Sequence, residues 1–351
     1  GERTSGGRLG RGSRVGAEDE DERGNRPVVL GASLRYSLIC LVGGLRARSA
    51  GVDPGFELDA LKRDILTRSR VPGLTAGELG LLLWADARSG LEAEEHLASA
   101  LEAALAGNTP YRLECLELCW AAVGCVEALE AGASSWARRK LDELTGHLLS
   151  RSETESGLLR HTELGRRSVL PHFADQIYAV HALAIVARLR DHATALRAAE
   201  RIAEVLISCQ HDDGAWPWIY NVRSGTVVEP YRLYSVHQDA MAPMALFELA
   251  EASDSTGWRE AALRGLEWIW GNNELGQEML DRETGLLYRS INRAGRRDRA
   301  AVWLNSAAAL GFGWAPIGAG GPVEVERTDR PYHLGWVLEA WCDRDAVTLV
   351  R

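Results

Sequence analysis

Residues 204–250 decide the fold of this chain and read EVLISCQHDDGAWPWIYNVRSGTVVEPYRLYSVHQDAMAPMALFELA. The stretch contains the end of one amphipathic helix, a turn rich in Gly, Pro, Trp, Tyr and Asp, and the start of a second helix. The turn therefore brings aromatic rings, carboxylates and a histidine to one helix-to-helix junction. Because polar loops at the mouth of a helical barrel face a concavity surrounded by rigid helices, we expect the ligand site at this junction.

The helical pattern continues on both sides of this stretch. From Pro27 onward apolar residues recur at helical spacing, and no run of β-type alternation exceeds a few residues. Helices that are apolar nearly all round alternate with amphipathic helices, which predicts an inner and an outer layer. The predicted helices cover residues 29–48, 56–69, 76–86, 91–105, 113–131, 134–150, 177–189, 193–209, 234–250, 258–271, 304–314 and 333–341.

Internal similarity indicates how these helices pair. Tyr178-Ala-Val-His181 recurs as Tyr234-Ser-Val-His237, and such repeats are typical of stacked helix pairs. Irregular repeats favour closure into a ring over an open solenoid, which needs uniform repeats and polar caps. We therefore predict an all-α fold, an α/α toroid of about six helical hairpins joined by short β-like turns. Residues 27–351 form this single domain, and residues 1–26 form a disordered leader.

Composition excludes several classes of partner and site. The net charge is −9 with no basic stripe, which argues against a nucleic-acid partner. The most apolar early run, residues 28–45, contains Arg35 and is short for a membrane span. We therefore expect a cytoplasmic protein without a membrane span.

The six cysteines lie in apolar helical patterns and are expected to be buried thiols. Cys115 and Cys119 could share a metal, but no motif indicates a divalent cation, and the cofactor stays undetermined.

Two pairs of polar residues are candidates for catalysis. His237 and Asp239 lie near the start of a predicted inner helix, where they could act as general acid and base or clamp a charged sugar. Pro243 would leave the Asp239 carbonyl without its usual donor, so either the helix begins near Pro243 or it is kinked there. His172 and Asp175 precede the matching helix at the i, i+3 spacing of one helix face. The alternative is a hydrogen-bonded cluster that caps the helix.

Aromatic and polar residues around these pairs are candidates to bind substrate. Trp216, Trp218 and Tyr220 alternate after Gly214, so an extended segment would place them on one side as a platform for sugar rings. The alternative is that they pack the turn against outer helices. The other predicted substrate-binding residues are Tyr178, Tyr234, Gln238 and Arg232, and Asn305, Trp314, His333 and Trp336 could complete the rim.

Two resemblances to known families rest on this region. Gln210-x3-Gly214-x-Trp216 resembles the QW repeat of terpenoid cyclases, which are α/α toroids related to protein prenyltransferases. The longer pattern Gln210-x3-Gly214-Ala-Trp216-Pro217-x2-Tyr220, followed by Asp239-Ala240-Met241, is similar to the core of a toroidal pectate lyase family. This second resemblance implies a groove that faces carbohydrate.

Together these observations predict a carbohydrate-active toroid that modifies a polysaccharide or glycoconjugate by lyase, hydrolase or epimerase chemistry. Its partner would be a small-molecule or polysaccharide substrate. One alternative is an enzyme similar to the terpenoid cyclases that binds an isoprenoid. The other is a glycan-binding or scaffold toroid without catalysis.

Overall fold

A computed structural model describes residues 32–69, 73–90, 92–107, 113–133, 135–253, 255–293, 304–310 and 322–344. The predicted leader, residues 1–26, and the predicted rim residue Trp314 lie outside these ranges. Helices dominate the described chain: α1 (Leu34–Ser49), α2 (Leu58–Arg68), α3 (Ala76–Ala87), α4 (Glu94–Gly107), α5 (Cys115–Glu130), α6 (Ser135–Arg151), α7 (Phe173–Arg190), α8 (Ala193–Ser208), α9 (Ala242–Ser253), α10 (Gly257–Ile269), α11 (residues 304–310) and α12 (Tyr332–Trp341).

Six of these helices form a closed inner ring. Around the ring α1 packs on α3, α3 on α5, α5 on α7, α7 on α9, α9 on α12, and α12 on α1. Helices α2, α4, α6, α8 and α10 each pack outside the inner helix that precedes them. The chain is therefore an α/α toroid, which confirms the predicted fold class. None of the described helices has the length and apolar character needed to cross a membrane.

Short strands occupy the connections, as the prediction of β-like turns requires. Strands β1 (Ile219–Tyr220) and β2 (Val227–Glu229) form an antiparallel pair. Strands β3 (Leu233–Tyr234), β4 (Ser290–Arg293) and β5 (Val323–Glu326) form an antiparallel sheet in the order β3, β4, β5. Both lie beside the junction that the sequence singled out.

Around the ring the last residues of one inner helix contact the last residues of the next, and the first residues of α5 and α7 also meet. The six inner helices therefore run in the same direction, and all of them begin at one end of the ring. At this end, which we call the amino end, Tyr36 of α1 meets Tyr332 of α12 with ring centroids 4.7 Å apart. At the opposite or carboxyl end, the Arg88 guanidinium that follows α3 contacts Glu127 of α5 and Glu339 of α12, each with a shortest distance of 2.6 Å. Between the two ends, a series of neighbouring rings fills the ring interior: Trp120, Tyr178, Trp336, Trp84 and His181.

Helices α7 and α9 differ from their predicted bounds for local reasons. Helix α7 begins four residues earlier than predicted, because the Asp175 carboxylate accepts the backbone N–H of His172 at 3.0 Å and caps the helix. The predicted helix over residues 234–250 begins at Ser235 and contains an irregular turn. A π-helical turn, His237–Met241, precedes α9, and the Trp341 indole donates to the Asp239 carbonyl at 2.6 Å. Pro243 removes the usual donor, and a residue of another helix replaces it.

Close approach between α1 and α12 depends on glycine. A Cβ added at Gly335 would lie 2.5 Å from the Ile39 carbonyl oxygen, a distance that real Cβ atoms essentially never show. We therefore expect Gly335→Ala to lower the free energy of unfolding by about 1–3 kcal/mol through overpacking. Gly146 is the control, since a Cβ there meets nothing within 4 Å on α6. Gly146→Ala should raise stability by about 1 kcal/mol through helix propensity. Urea unfolding measures both, and equal effects at the two positions would contradict the packing argument.

Candidate active site at the amino end of the ring

His237 lies in the π-helical turn at the amino end and is buried, with only 5% of its surface exposed. Its ring packs against Phe173 at 4.7 Å and Tyr234 at 5.0 Å between ring centroids. Burial lowers the pKa of His237 to about 3, and the charges of His172 and His333 act in the same direction. Its buried Nδ1 atom has no hydrogen-bond partner among the described residues. His237 is therefore a neutral imidazole with an unused nitrogen.

His333, near the start of α12, is paired with Asp239. The Nε2 atom of His333 lies 2.6 Å from Asp239 Oδ1, and both side chains are buried. A carboxylate bound to one imidazole nitrogen fixes the orientation of the ring. The predicted pair of His237 and Asp239 is thus extended by a third residue. Sequence reasoning placed His333 only at the rim, since its partner is 94 residues away in the chain.

Asp175 is engaged in structural contacts. One oxygen lies 2.6 Å from Nδ1 of His161, and the other accepts the His172 backbone N–H. Burial alone would lower the pKa of His161, but the Asp175 and Glu114 carboxylates outweigh it and raise that pKa to about 9. The carboxylate of Asp175 therefore orients a buried imidazolium and caps α7, and its catalytic role stays a prediction. Sequence reasoning missed His161, which lies in a loop without a motif.

His172 is half-buried and can face a ligand. Its ring stacks on Trp218 with centroids 5.1 Å apart, and its Nδ1 atom lies 3.3 Å from the Arg167 guanidinium. Burial lowers the pKa of His172 to about 4, and the Arg167 charge acts in the same direction. His172 is consequently a neutral side chain beside an aromatic ring.

Two of the three residues of the predicted aromatic platform are buried. Trp216 and Tyr220 are fully buried, and Trp216 packs on Phe173 with ring centroids 5.4 Å apart. Their burial contradicts a role as sugar-stacking residues. The alternation argument failed because only Ile219 and Tyr220 form a strand here. Trp218 is half-buried and remains available.

Three further predicted binding residues have different environments. Gln238 is fully buried, accepting the Trp216 backbone N–H at 3.0 Å and donating to the Tyr234 carbonyl at 3.1 Å. Tyr178 is buried in the ring interior. The side chains of Gln238 and Tyr178 therefore pack beneath the residues that can face a ligand. This corrects their predicted contact with substrate. Tyr234 is half-buried, and its ring lies edge-on to Trp218 at 6.1 Å between centroids.

An anionic group beside Tyr234 was also missed by sequence reasoning. Glu326 accepts from Arg289 at 2.8 Å and from Asn292 at 2.9 Å, and the exposed Arg232 lies 3.7 Å away. Burial would raise the pKa of Glu326, but the Asn292 hydrogen bond and the Arg289 charge lower it to about 2. The Arg289 guanidinium in turn lies 5.2 Å from the centroid of the Tyr234 ring. Arg289 thus brings a cation to the candidate site.

Metal ligands are not grouped in the part of the chain that the structure describes. No cluster of three His, Cys, Asp or Glu side chains there could hold a metal ion. Cys115 and Cys119 are buried free thiols on α5.

The raised pKa of His161 predicts a pH-dependent stability. A histidine whose folded-state pKa exceeds its ordinary value of 6.5 stabilises the fold fully below pH 6.5, and this contribution is lost as the pH rises through about 9. We expect the free energy of unfolding to fall by on the order of 2–3 kcal/mol across that range. Urea unfolding at a series of pH values measures this. His161→Gln should flatten the profile, and an unchanged slope in this variant would contradict the assignment.

Comparisons with known proteins agree on the architecture. No protein-family model matches the chain, and no curated protein matches its sequence. Among solved structures, a sugar epimerase from a ruminal bacterium has a TM-score of 0.60 at 12% identity, over 90% of both chains. D-mannose isomerase has a TM-score of 0.58 at 12% identity, over 88% of this chain and 85% of that one. Cellobiose 2-epimerase from Bacillus thermoamylovorans B4167 has a TM-score of 0.58 at 9% identity, over 89% and 87%. At these identities the likeness establishes the fold.

Proposed function

We propose that this protein is a carbohydrate-modifying enzyme that epimerises or isomerises a reducing sugar by proton transfer. The observation that carries the proposal is the pair of histidines at the amino end: neutral His237, and His333 bound to Asp239 at 2.6 Å. Three solved structures with the same fold are a D-mannose isomerase and two sugar epimerases, which supports this reaction class.

The two histidines suit opposite roles in the reaction. His237 is a neutral imidazole that can accept a proton, and His333 is an imidazole whose orientation a carboxylate fixes. His237 would accept the proton from the carbon next to the sugar carbonyl, and the bonding electrons would form an enediolate. His333, protonated on Nδ1 and held through Nε2 by Asp239, would return a proton to the opposite face of that carbon to give the epimer. Proton return to the former carbonyl carbon would instead give the ketose.

The surroundings of the pair favour an anionic intermediate. All six inner helices begin at this end, and helix N-termini carry a partial positive charge. The Arg289 guanidinium, which is paired with Glu326 at 2.8 Å, also lies beside Tyr234. Positive groups that are fixed before the reaction stabilise charge that develops in the transition state. Trp218 and Tyr234 offer half-buried ring faces for the sugar.

Hydrogen exchange with solvent tests the proposal directly. The enzyme is incubated in deuterium oxide with a panel of reducing sugars that includes mannose and cellobiose, and proton NMR follows the position next to the carbonyl. We expect deuterium at that position together with the appearance of an epimer or ketose. Products of glycosidic bond cleavage without such exchange would contradict the proposal.

A hydrolase is the second candidate, and one observation favours it. Burial raises the pKa of Asp329, which lies near His333 and the Asp239 carboxylate. Two neighbouring carboxyl groups are typical of glycoside hydrolysis, where one of them acts as the general acid. Asp329→Asn would then abolish cleavage of a glycoside, whereas the epimerase proposal predicts continued hydrogen exchange in this variant. The isoprenoid alternative predicts a mostly apolar site, and the histidines and Arg289 give it no support.

A further inference from the structure

Tyr234 occupies a fixed position at the amino end of the ring. It is the last residue of β3, where it pairs with Ser290 of β4. The helical segment that contains His237 begins at the next residue, Ser235, whose backbone N–H donates to the Arg289 carbonyl at 2.9 Å. Because a sheet and a helical segment meet at Tyr234, the backbone holds this side chain in one place beside the site.

Three residues of the candidate site lie against the Tyr234 ring. Its centroid lies 5.0 Å from that of His237 and 6.1 Å from that of Trp218, and the Arg289 guanidinium carbon lies 5.2 Å away. Contacts of this kind fix the orientation of a side chain before a ligand binds. Tyr234 therefore lies between the proposed base and the aromatic ring that is available to the sugar.

The hydroxyl of Tyr234 is available to a ligand. Tyr234 is half-buried, and its hydroxyl makes no hydrogen bond within the residues that the structure describes. The Tyr220 hydroxyl also lacks a partner in those ranges, but that atom is buried, whereas the Tyr234 hydroxyl is not. Phe173, which also packs on the His237 ring, has no polar side-chain atom. Tyr234 thus brings an accessible hydrogen-bond donor next to the proposed base.

We propose that Tyr234 is a further catalytic residue, whose hydroxyl donates a hydrogen bond to the carbonyl oxygen of the sugar. This inference rests on the proposed function. The carbonyl carbon is bonded to the carbon that loses its proton to His237, so a group that binds the carbonyl oxygen must lie beside this base. As the bonding electrons move to that oxygen and form the enediolate, the Tyr234 hydroxyl keeps its proton and stabilises the developing negative charge.

Tyr234→Phe removes only this hydroxyl and tests the proposal. We expect the turnover number for hydrogen exchange and epimerisation to fall about 10²- to 10³-fold, the usual loss when one donor to a developing oxyanion is removed. The Michaelis constant should change by less than about 3-fold, because this hydrogen bond strengthens mainly in the transition state. Tyr220→Phe is the matched control, since it removes a buried hydroxyl outside the site, and it should leave turnover unchanged.

Binding of two inhibitors adds a readout that a disturbed fold would not reproduce. The hydroxamate of the reactive sugar, mannonohydroxamate in the case of mannose, resembles the planar, anionic enediolate, whereas the alditol, mannitol, has no carbonyl group. In calorimetric titrations, Tyr234→Phe should weaken hydroxamate binding about 10-fold or more and alditol binding by less than about 2-fold. A general loss of site structure would weaken both.

The outcomes separate this inference from the proposed function. If the unmodified protein exchanges hydrogen and Tyr234→Phe does so at a rate within about 3-fold of it, the role of Tyr234 is wrong while the proposed function stands. The same conclusion follows if the variant weakens both inhibitors equally. If no sugar of the panel exchanges hydrogen with the unmodified protein, the proposed function fails and this inference fails with it.

Discussion

His237→Asn is expected to lower the turnover number of sugar epimerisation by roughly 10²- to 10⁴-fold, the usual contribution of a general acid or base. The amide of Asn can form hydrogen bonds but cannot take a proton from carbon. His333→Asn should have an effect of the same size, because the return of the proton would then lack its donor. Deuterium incorporation and product formation at saturating sugar measure both variants.

His181 provides a matched control for this prediction. It occupies the equivalent position of the repeat, it is buried, and burial lowers its pKa to about 3, as for His237. It nevertheless stacks on Trp84 in the ring interior, with centroids 6.0 Å apart. His181→Asn should therefore reduce stability while leaving turnover of the folded enzyme near that of the unmodified protein.

The non-catalytic alternative makes the opposite prediction. If the toroid only binds glycans, His237→Asn would retain activity in a sugar-binding assay, and Trp218→Ala would abolish it. If hydrogen exchange persists within about 10-fold of normal in His237→Asn, another residue must act as the base. That outcome would reject the assigned role of His237 even if the protein proves to be an epimerase.

The repeated Tyr-x-Val-His sequence predicted the helix pairing but not the different depths of its two histidines. Helix α7 begins at Phe173, eight residues before His181, so His181 lies well inside the ring. The helical segment that contains His237 begins at Ser235, only two residues before it, and passes through the π-helical turn into α9. His237 therefore stays at the amino end. This difference depends on helix caps and on the Trp341 indole, which an apolar periodicity does not encode.

The contacts that define the candidate site also connect distant parts of the chain. His333 and Asp239 are 94 residues apart, and Trp341 and Asp239 are 102 residues apart. Sequence patterns predict which residues share one helix face, but pairing across the ring depends on how the ring closes. The same limit explains why Trp216 was assigned to a platform. Its inward position depends partly on a hydrogen bond from its backbone N–H to Gln238, which lies in the next inner segment.

Glu339→Gln should lower the free energy of unfolding by about 3–5 kcal/mol, as expected when one member of a buried ionic group is removed. Glu339 is 1% exposed and accepts from Arg46 at 3.0 Å and from Arg88 at 2.6 and 3.0 Å. The neutral amide would leave two largely buried guanidinium groups with much less compensation. Glu127 would remain as a partner of Arg88, and urea unfolding measures the net effect.

Glu251→Gln is the control for this substitution. Glu251 also belongs to the carboxyl end, where it lies 3.3 Å from Arg344, but its side chain is 40% exposed. An exposed pair contributes about 0–1 kcal/mol, so this variant should unfold nearly as the unmodified protein does. Equal losses in the two variants would show that burial does not determine the strength of these pairs.

The same argument predicts how the contribution of Glu339 varies with pH. Burial would raise the pKa of Glu339, but the Arg88 and Arg46 charges outweigh it and lower that pKa below its ordinary value of 4.5. A carboxylate of this kind stabilises the fold above pH 4.5, and its contribution is lost as the pH falls through the lowered pKa. The difference in stability between the unmodified protein and Glu339→Gln should therefore be constant near neutral pH and shrink in acid. A difference that persists unchanged at low pH would mean that the substitution acts through packing and not through the charge of Glu339.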